Sequence, residues 1–163
     1  MNKDNNNQNA PSPEIKTDVT GSPIIPEGVT VFFASEVVKK PVLLSSGLGI
    51  GKLKDIAVKI NGGIYPEAKY IIVSRPWGHA EYWIPMDRVA SIDETQTVVS
   101  VTENLENFTT PPPSDEILLV CDNIMDKKII DMEDREVEIV YDVEMVYAGG
   151  KIFLTHVDAD RSG

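Results

Sequence analysis

The chain has 163 residues, 42% of them hydrophobic, and carries fifteen Lys and Arg against twenty-six Asp and Glu, a net charge of −11. That length suits one or two small domains, and a surface this acidic repels phosphate backbones and anionic headgroups, which sets nucleic acid aside as a direct partner. The single cysteine, Cys121, excludes a disulfide within the chain and suits a reducing cytosol.

Residues 1–28 are Asn-rich, with Pro11, Pro13, Pro23 and Pro26, and such a stretch cannot bury enough apolar surface to offset its ordering entropy. They are expected to be a disordered tail without the apolar core of a signal peptide. No later run approaches the roughly 20 apolar residues of a membrane helix, so the chain is expected to be soluble and cytoplasmic, with any membrane tether supplied by segments outside it. The apolar run 29–33 opens a first unit, residues 29–103. Ser35 stands at an N-cap position with Glu36 behind it, which predicts one helical turn ended by Pro41. A strand over 42–44 and a Ser-Ser-Gly turn follow. Apolar residues then fall at 50, 53, 56, 58 and 60. That spacing fits a strand with a bulge near Lys52–Lys54, because one extra residue shifts the inward face. Asn61-Gly62-Gly63 predicts a hairpin turn. Strands over 70–74 and 80–85 flank the loop Arg75-Pro76-Trp77-Gly78-His79; 86–92 is short and helical or irregular, and 97–101 is a further strand. Residues 104–115 contain three consecutive prolines and predict a stiff linker. Residues 116–163 form a second unit whose last expected strand is 151–157.

The two units share a register. Adding 87 carries Asp55 onto Asp142, Lys40 onto Lys127, Val42 onto Ile129, Leu53 onto Val140, Ile56 onto Val143 and Gly62-Gly63 onto Gly149-Gly150. A gap-free match of apolar positions, one acid and one glycine pair points to an internal repeat of a small β unit. Apolar residues at 137, 140, 143 and 145 repeat the bulged spacing, although a straight strand facing 137, 139, 141, 143 and 145 fits equally. By this register the second unit lacks its closing strands and leaves an open edge that the first unit is expected to cover, with strand addition or dimerisation by another chain, or residues beyond Gly163 in an intact protein, as the alternatives.

No nucleophile–base set is visible, so an enzyme is not expected, nor a cofactor. Residues 114–163 hold five basic and thirteen acidic residues, hence −8. Glu136, Glu138, Asp142 and Glu144 are the metal candidates, yet on the outer face of one strand they would lie along a line. A hard cation wants oxygens that converge, so a solvated acidic face with only weak Mg²⁺ binding is expected. Asp55 and Asp142, equivalent acids of the repeat, are each expected to accept backbone N–H bonds at a bulge. Trp77 and His79 sit where binding loops often sit, with Trp77 alternatively folded over the barrel mouth. His156 reads as a structural strand histidine, and Cys121 as a small buried hydrophobe on an apolar strand.

The string VVKKPVLLSSGLGIGKLKDIAVKI followed by YWIPMDRVASID resembles a PRC-barrel domain, a small all-β barrel that contacts other proteins. The stretch SDEILLVCDNIMDKKIIDMEDREVEIVYDVEMVYAGGKIFLTHVDADRSG resembles the cytoplasmic N-terminal part of MgtE-related magnesium-transporter proteins. The two matches cover about residues 32–157. Two departures stand out: Ser46-Gly47 replaces a common acidic-Gly pair, and Asp134-Arg135 has no glycine. The channel, helical and CBS domains of that family are missing, so no ion-binding residue carries over. The resemblance implies an all-β fold of two tandem PRC-barrel-like units, the second incomplete, with short helical turns. It implies a non-catalytic protein–protein interaction or regulatory module in the cytoplasmic part of a divalent-cation, magnesium, transport system. A soluble RimM-like adaptor in ribosome or RNA-particle maturation is the alternative.

Overall fold

A computed structural model describes residues 16–17, 19–20, 23–24, 28–60, 63–113 and 115–161. In chain order the strands are β1 (Lys16–Thr17), β2 (Pro23–Ile24), β3 (Val29–Phe33), β4 (Pro41–Leu44), β5 (Gly49–Lys59), β6 (Glu67–Ser74), β7 (Tyr82–Pro85), β8 (Val89–Ile92), β9 (Thr97–Val99), β10 (Ile117–Leu119), β11 (Lys128–Ile130), β12 (Val137–Ala148) and β13 (Lys151–Arg161). One α-helical turn, α1 (Ala34–Val37), follows β3. Short 3₁₀ turns occupy Met86–Arg88 and Leu105–Phe108, and Val120–Ile124 winds as one π-helical turn. The protein is therefore all-β, with one curled, half-barrel sheet of eleven strands beside the small β1–β2 ladder. No helix among the described residues is long and apolar enough to cross a membrane.

Two long hairpins organise the sheet. β5 pairs antiparallel with β6, and β12 with β13. The hairpins join through a single bridge, Phe153 to Glu67, beside a bond from the Leu154 N–H to the Pro66 carbonyl at 2.9 Å. Each hairpin takes one strand from its own half and one from the other. β4 and β10 lie along β5; β11 and β3 lie along β12. The first half therefore sends β3 to the second, and the second sends β10 to the first. The core follows this exchange: Val37, Leu53, Ile56, Ile71 and Ile84 pack in one buried cluster with Val120, Val140, Val143, Met145 and Ile152.

The spacing 53, 56, 58 does mark a bulge. Leu53 pairs with Val73 and Asp55 with Ile72, which leaves Lys54 as the extra residue. The second half bulges as well: Val140 pairs with Ala159 and Asp142 with Asp158, with Tyr141 extra. This settles the choice between a bulged and a straight strand there.

Several boundaries differ from the sequence reading. β13 runs to Arg161, past the expected end at 157, because Asp158, Ala159 and Asp160 pair with Asp142, Val140 and Ile139. A long-range ladder overrides the low strand preference of aspartate. Cys121 lies in the π turn, not on a strand. Residues 105–108, inside the expected Pro-rich linker, form a 3₁₀ turn capped by the Asn104 side chain, which accepts from the Glu106 N–H at 3.1 Å. β1 and β2 form a two-residue ladder within the expected disordered tail, whose residues 1–15 lie outside the described residues. Asn61 and Gly62 of the expected hairpin turn also lie outside them.

Candidate functional site

Asp55 and Asp142 join the two halves. The Asp55 carboxylate accepts the Ile56 N–H at 2.7 Å, which shapes its own bulge. It also accepts the N–H groups of Cys121 at 2.8 Å and Asp122 at 3.1 Å, in the first turn of Val120–Ile124. Asp142 does the same in reverse. It accepts the Val143 N–H at 2.9 Å, the Ser35 N–H at 3.2 Å and the Ser35 hydroxyl at the start of α1. The first N–H groups of a helical turn have no partner within it. Here each half supplies the carboxylate that satisfies them in the other.

Other bonds recur 87 residues apart. The Lys39 N–H donates to the Leu53 carbonyl at 2.7 Å and the Asp126 N–H to the Val140 carbonyl at 2.8 Å. The Leu53 N–H donates to Lys40 and the Val140 N–H to Lys127. Lys39 and Asp126 both adopt positive φ, 68° and 61°. The turns themselves differ by one residue. The Val38 N–H reaches Ala34, whereas the Met125 N–H reaches back five residues to Val120. The π turn absorbs that residue, so the entering strands correspond at an offset of 86, with Phe33 and Leu119 each preceding its turn.

The acidic candidates do not share a face. The bulge at Tyr141 places Glu138 on the side of buried Val140, while Asp142 and Glu144 point to the opposite side from Val143 and Met145. Asp142 is occupied by α1, and Glu144 accepts the Thr155 hydroxyl at 2.9 Å. Glu136 precedes β12, and its N–H donates to Asp134 at 3.1 Å. Among the described residues no group of three His, Cys, Asp or Glu side chains is placed to hold a metal ion.

Trp77 is 92% exposed and does not fold over the barrel. Trp77 and Gly78 both take positive φ, 64° and 70°, the twist that suits a tight hairpin between β6 and β7. Arg75 anchors the base of this loop: its guanidinium donates to the Ala80 carbonyl at 2.6 Å, lies 4.1 Å from the centre of the Tyr82 ring and pairs with Glu106 at 3.2 Å. His79 is exposed beside Trp77. His156 is exposed too, not set among apolar side chains, and lies 3.3 Å from Asp158. Cys121 is half-buried. Burial, then the charge of Asp55, push its thiol up to about 12, which leaves it protonated and a poor nucleophile at neutral pH.

An open cleft of about 600 Å³ runs between β6, the Pro112–Pro113 segment and Lys151. Glu67 sits in it, paired with Lys69 and, at 3.5 Å, with Lys151. Burial pushes the Glu67 carboxyl up, but the two lysines outweigh it and hold the group below the usual carboxylate range.

The feature that sequence reasoning missed is the outer face of the β11–β12 hairpin. Lys128 pairs with Ile139 and Ile130 with Val137, so these four side chains share one face, and Tyr141 extends it. Ile130 is 64% exposed and Tyr141 59%, with Val137, Ile139 and the neighbouring Met132 also exposed. Apolar side chains exposed together on one face are less usual than scattered single ones. Its alternation at 137, 139 and 141 is legible as apolar, but it fits a straight strand facing the core equally well. No family model and no curated protein matches the chain.

Proposed function

We propose that this chain is a non-catalytic protein–protein interaction and regulatory module of PRC-barrel type, built by internal duplication, and that it serves as the cytoplasmic part of a magnesium transport system. The observation that carries the interaction reading is the exposed apolar face of Ile130, Val137, Ile139 and Tyr141, set in the more acidic half of the molecule. The duplication is supported by the bonds that recur 87 residues apart and by the reciprocal carboxylate caps. The transport assignment rests on the resemblance of residues 114–163 alone. A membrane-bound partner with basic loops suits the charge of this half.

A photo-crosslinking amino acid at Tyr141, on the same face but off the β11 edge, used in cells, tests the reading. The expected product is a crosslink to a cation-transport protein in the membrane fraction. Crosslinks to ribosomal proteins would instead support the RimM-like adaptor, and a soluble metabolic enzyme as sole product would sink both. Calorimetry on the isolated chain is expected to show no saturable Mg²⁺ site of sub-millimolar affinity, since the acidic side chains do not converge. A sub-millimolar site would make the chain itself the cation sensor.

A further inference from the structure

We propose that β11 pairs antiparallel with β11 of a second copy of this chain, across a two-fold axis at Ile129. The first half shows how the position is filled when it is filled. There β4, the strand that corresponds to β11, pairs on its outer side with β9, in register Val42 to Thr97, Leu43 to Val98 and Leu44 to Val99. Among the described residues β11 ends the sheet and pairs only with β12. The Lys127 carbonyl and the Asp131 N–H point to β12, at 3.0 Å each from Val140 and Glu136. Alternate residues of a strand direct their backbone groups to opposite edges. Lys128 and Ile130 therefore present N–H and C=O groups outward, as Leu43 does toward β9. An open edge of this kind is a template for another strand.

The residues around the edge choose the occupant. The sequence Lys127-Lys128-Ile129-Ile130-Asp131 is self-complementary when reversed about Ile129. Ile129 then faces its own copy, and Lys127 faces Asp131 of that copy twice over. Lys128 faces Ile130 and exchanges two backbone hydrogen bonds with it at each end. The butyl stem of Lys128 covers the exposed Ile130 while its ammonium stays in water. Opposite charges directly across strands stabilise the pairing and like charges oppose it. The overall charge of −11 works against self-association, but moderate salt screens it while the contact pairs, within a few ångströms, are screened far less. This inference stands without the transport reading, because it uses only the edge and its charges.

Sedimentation velocity of the intact chain, over a range of concentrations at moderate salt, is expected to show a reversible monomer–dimer equilibrium. Lys127→Asp and Asp131→Lys should each weaken dimerisation at least ~10-fold, because each places two like-charge pairs across the strands. Mixed in equal amounts they should form a one-to-one heterodimer, since all four facing charges are then opposite. Loss of fold cannot imitate that rescue. Ile130→Pro removes an outward N–H and should give a monomer with unchanged circular dichroism. A wild-type chain that is still monomeric at about millimolar concentration, or two reversed variants that fail to associate when mixed while each remains folded, would overturn the proposal. The edge would then belong to a strand from a different protein.

Discussion

Asp55 is 3% exposed and accepts three backbone N–H groups, two of them from the other half of the chain. Asp55→Ala would remove the acceptor of the buried Ile56 N–H and of the half-buried Cys121 and Asp122 N–H groups and should cost about 3 kcal/mol in urea unfolding. Asp142→Ala, where Ser35 borders solvent, should cost about half as much. Equal and negligible losses would mean that the caps are decorative. Cys121 provides a second readout: with its thiol held near 12, modification by a disulfide reagent at neutral pH should be at least ~100-fold slower than in the unfolded chain. Glu67 sets part of the acid limit. Its folded pKa lies below its unfolded one, so its contribution is complete above the ordinary carboxylate range and is lost as pH falls through the lowered value. Glu67→Gln should therefore flatten the acid end of a stability–pH curve and leave the neutral end nearly parallel. The two aspartates were legible as a pair because they share the 87-residue offset. Their partners were not legible, since Asp55 reaches 66 residues to Cys121 and Asp142 reaches 107 residues to Ser35. Local reasoning saw only the bulge.

At the scale of elements, the bulges at Lys54 and Tyr141 decide which side chains face the core. The first was legible because Lys52, Lys54 and Asp55 interrupt an apolar series. The second was masked by Tyr141, an apolar side chain that fits a straight strand yet stands 59% exposed. Only the straight strand, open as an alternative, places Glu138 with Asp142 and Glu144, on a face they do not share. The π turn is not legible in the sequence for a related reason. A one-residue insertion that winds into the turn leaves the apolar register downstream intact, so a gap-free comparison cannot see it. Gly51 lies close against β6. Its φ is +148°, and a Cβ there would stand 2.2 Å from the Ser74 carbonyl oxygen and 2.8 Å from a Val73 methyl. Backbone stands in the way, so β5 and β6 would have to separate. Gly51→Ala is expected to cost about 3 kcal/mol or more and lower the melting temperature accordingly. Gly47→Ala offers the control, since its Cβ would meet nothing within 4 Å although its φ of +93° still carries strain. A loss as large at Gly47 as at Gly51 would shift the cause from contact with β6 to backbone conformation.

For the whole molecule, the exchange of β3 and β10 should make the two halves one folding unit. A chain cut at the Pro-rich segment would give residues 1–113 and 114–163. The first fragment would keep β4 to β9 but lose β12, the partner of β3, and with it the Asp142 carboxylate that caps α1. Val37 and Phe32, buried in the intact core, would lose Val143 and Met145 from their cluster. The second fragment would keep one long hairpin and β11, and its β10 would have no β5 to pair with. A hairpin of that kind is marginal in water without a further layer. The intact chain should therefore unfold in a single transition seen alike by circular dichroism and by Trp83 fluorescence, measured with Trp77→Phe as background. The second fragment alone should show little amide protection in β12, and mixing the two should restore protection in β3, β10 and β12 together. Protection of β12 in the second fragment by itself, at the level of the intact chain, would show that the halves are independent barrels and that the exchanged strands only decorate their edges.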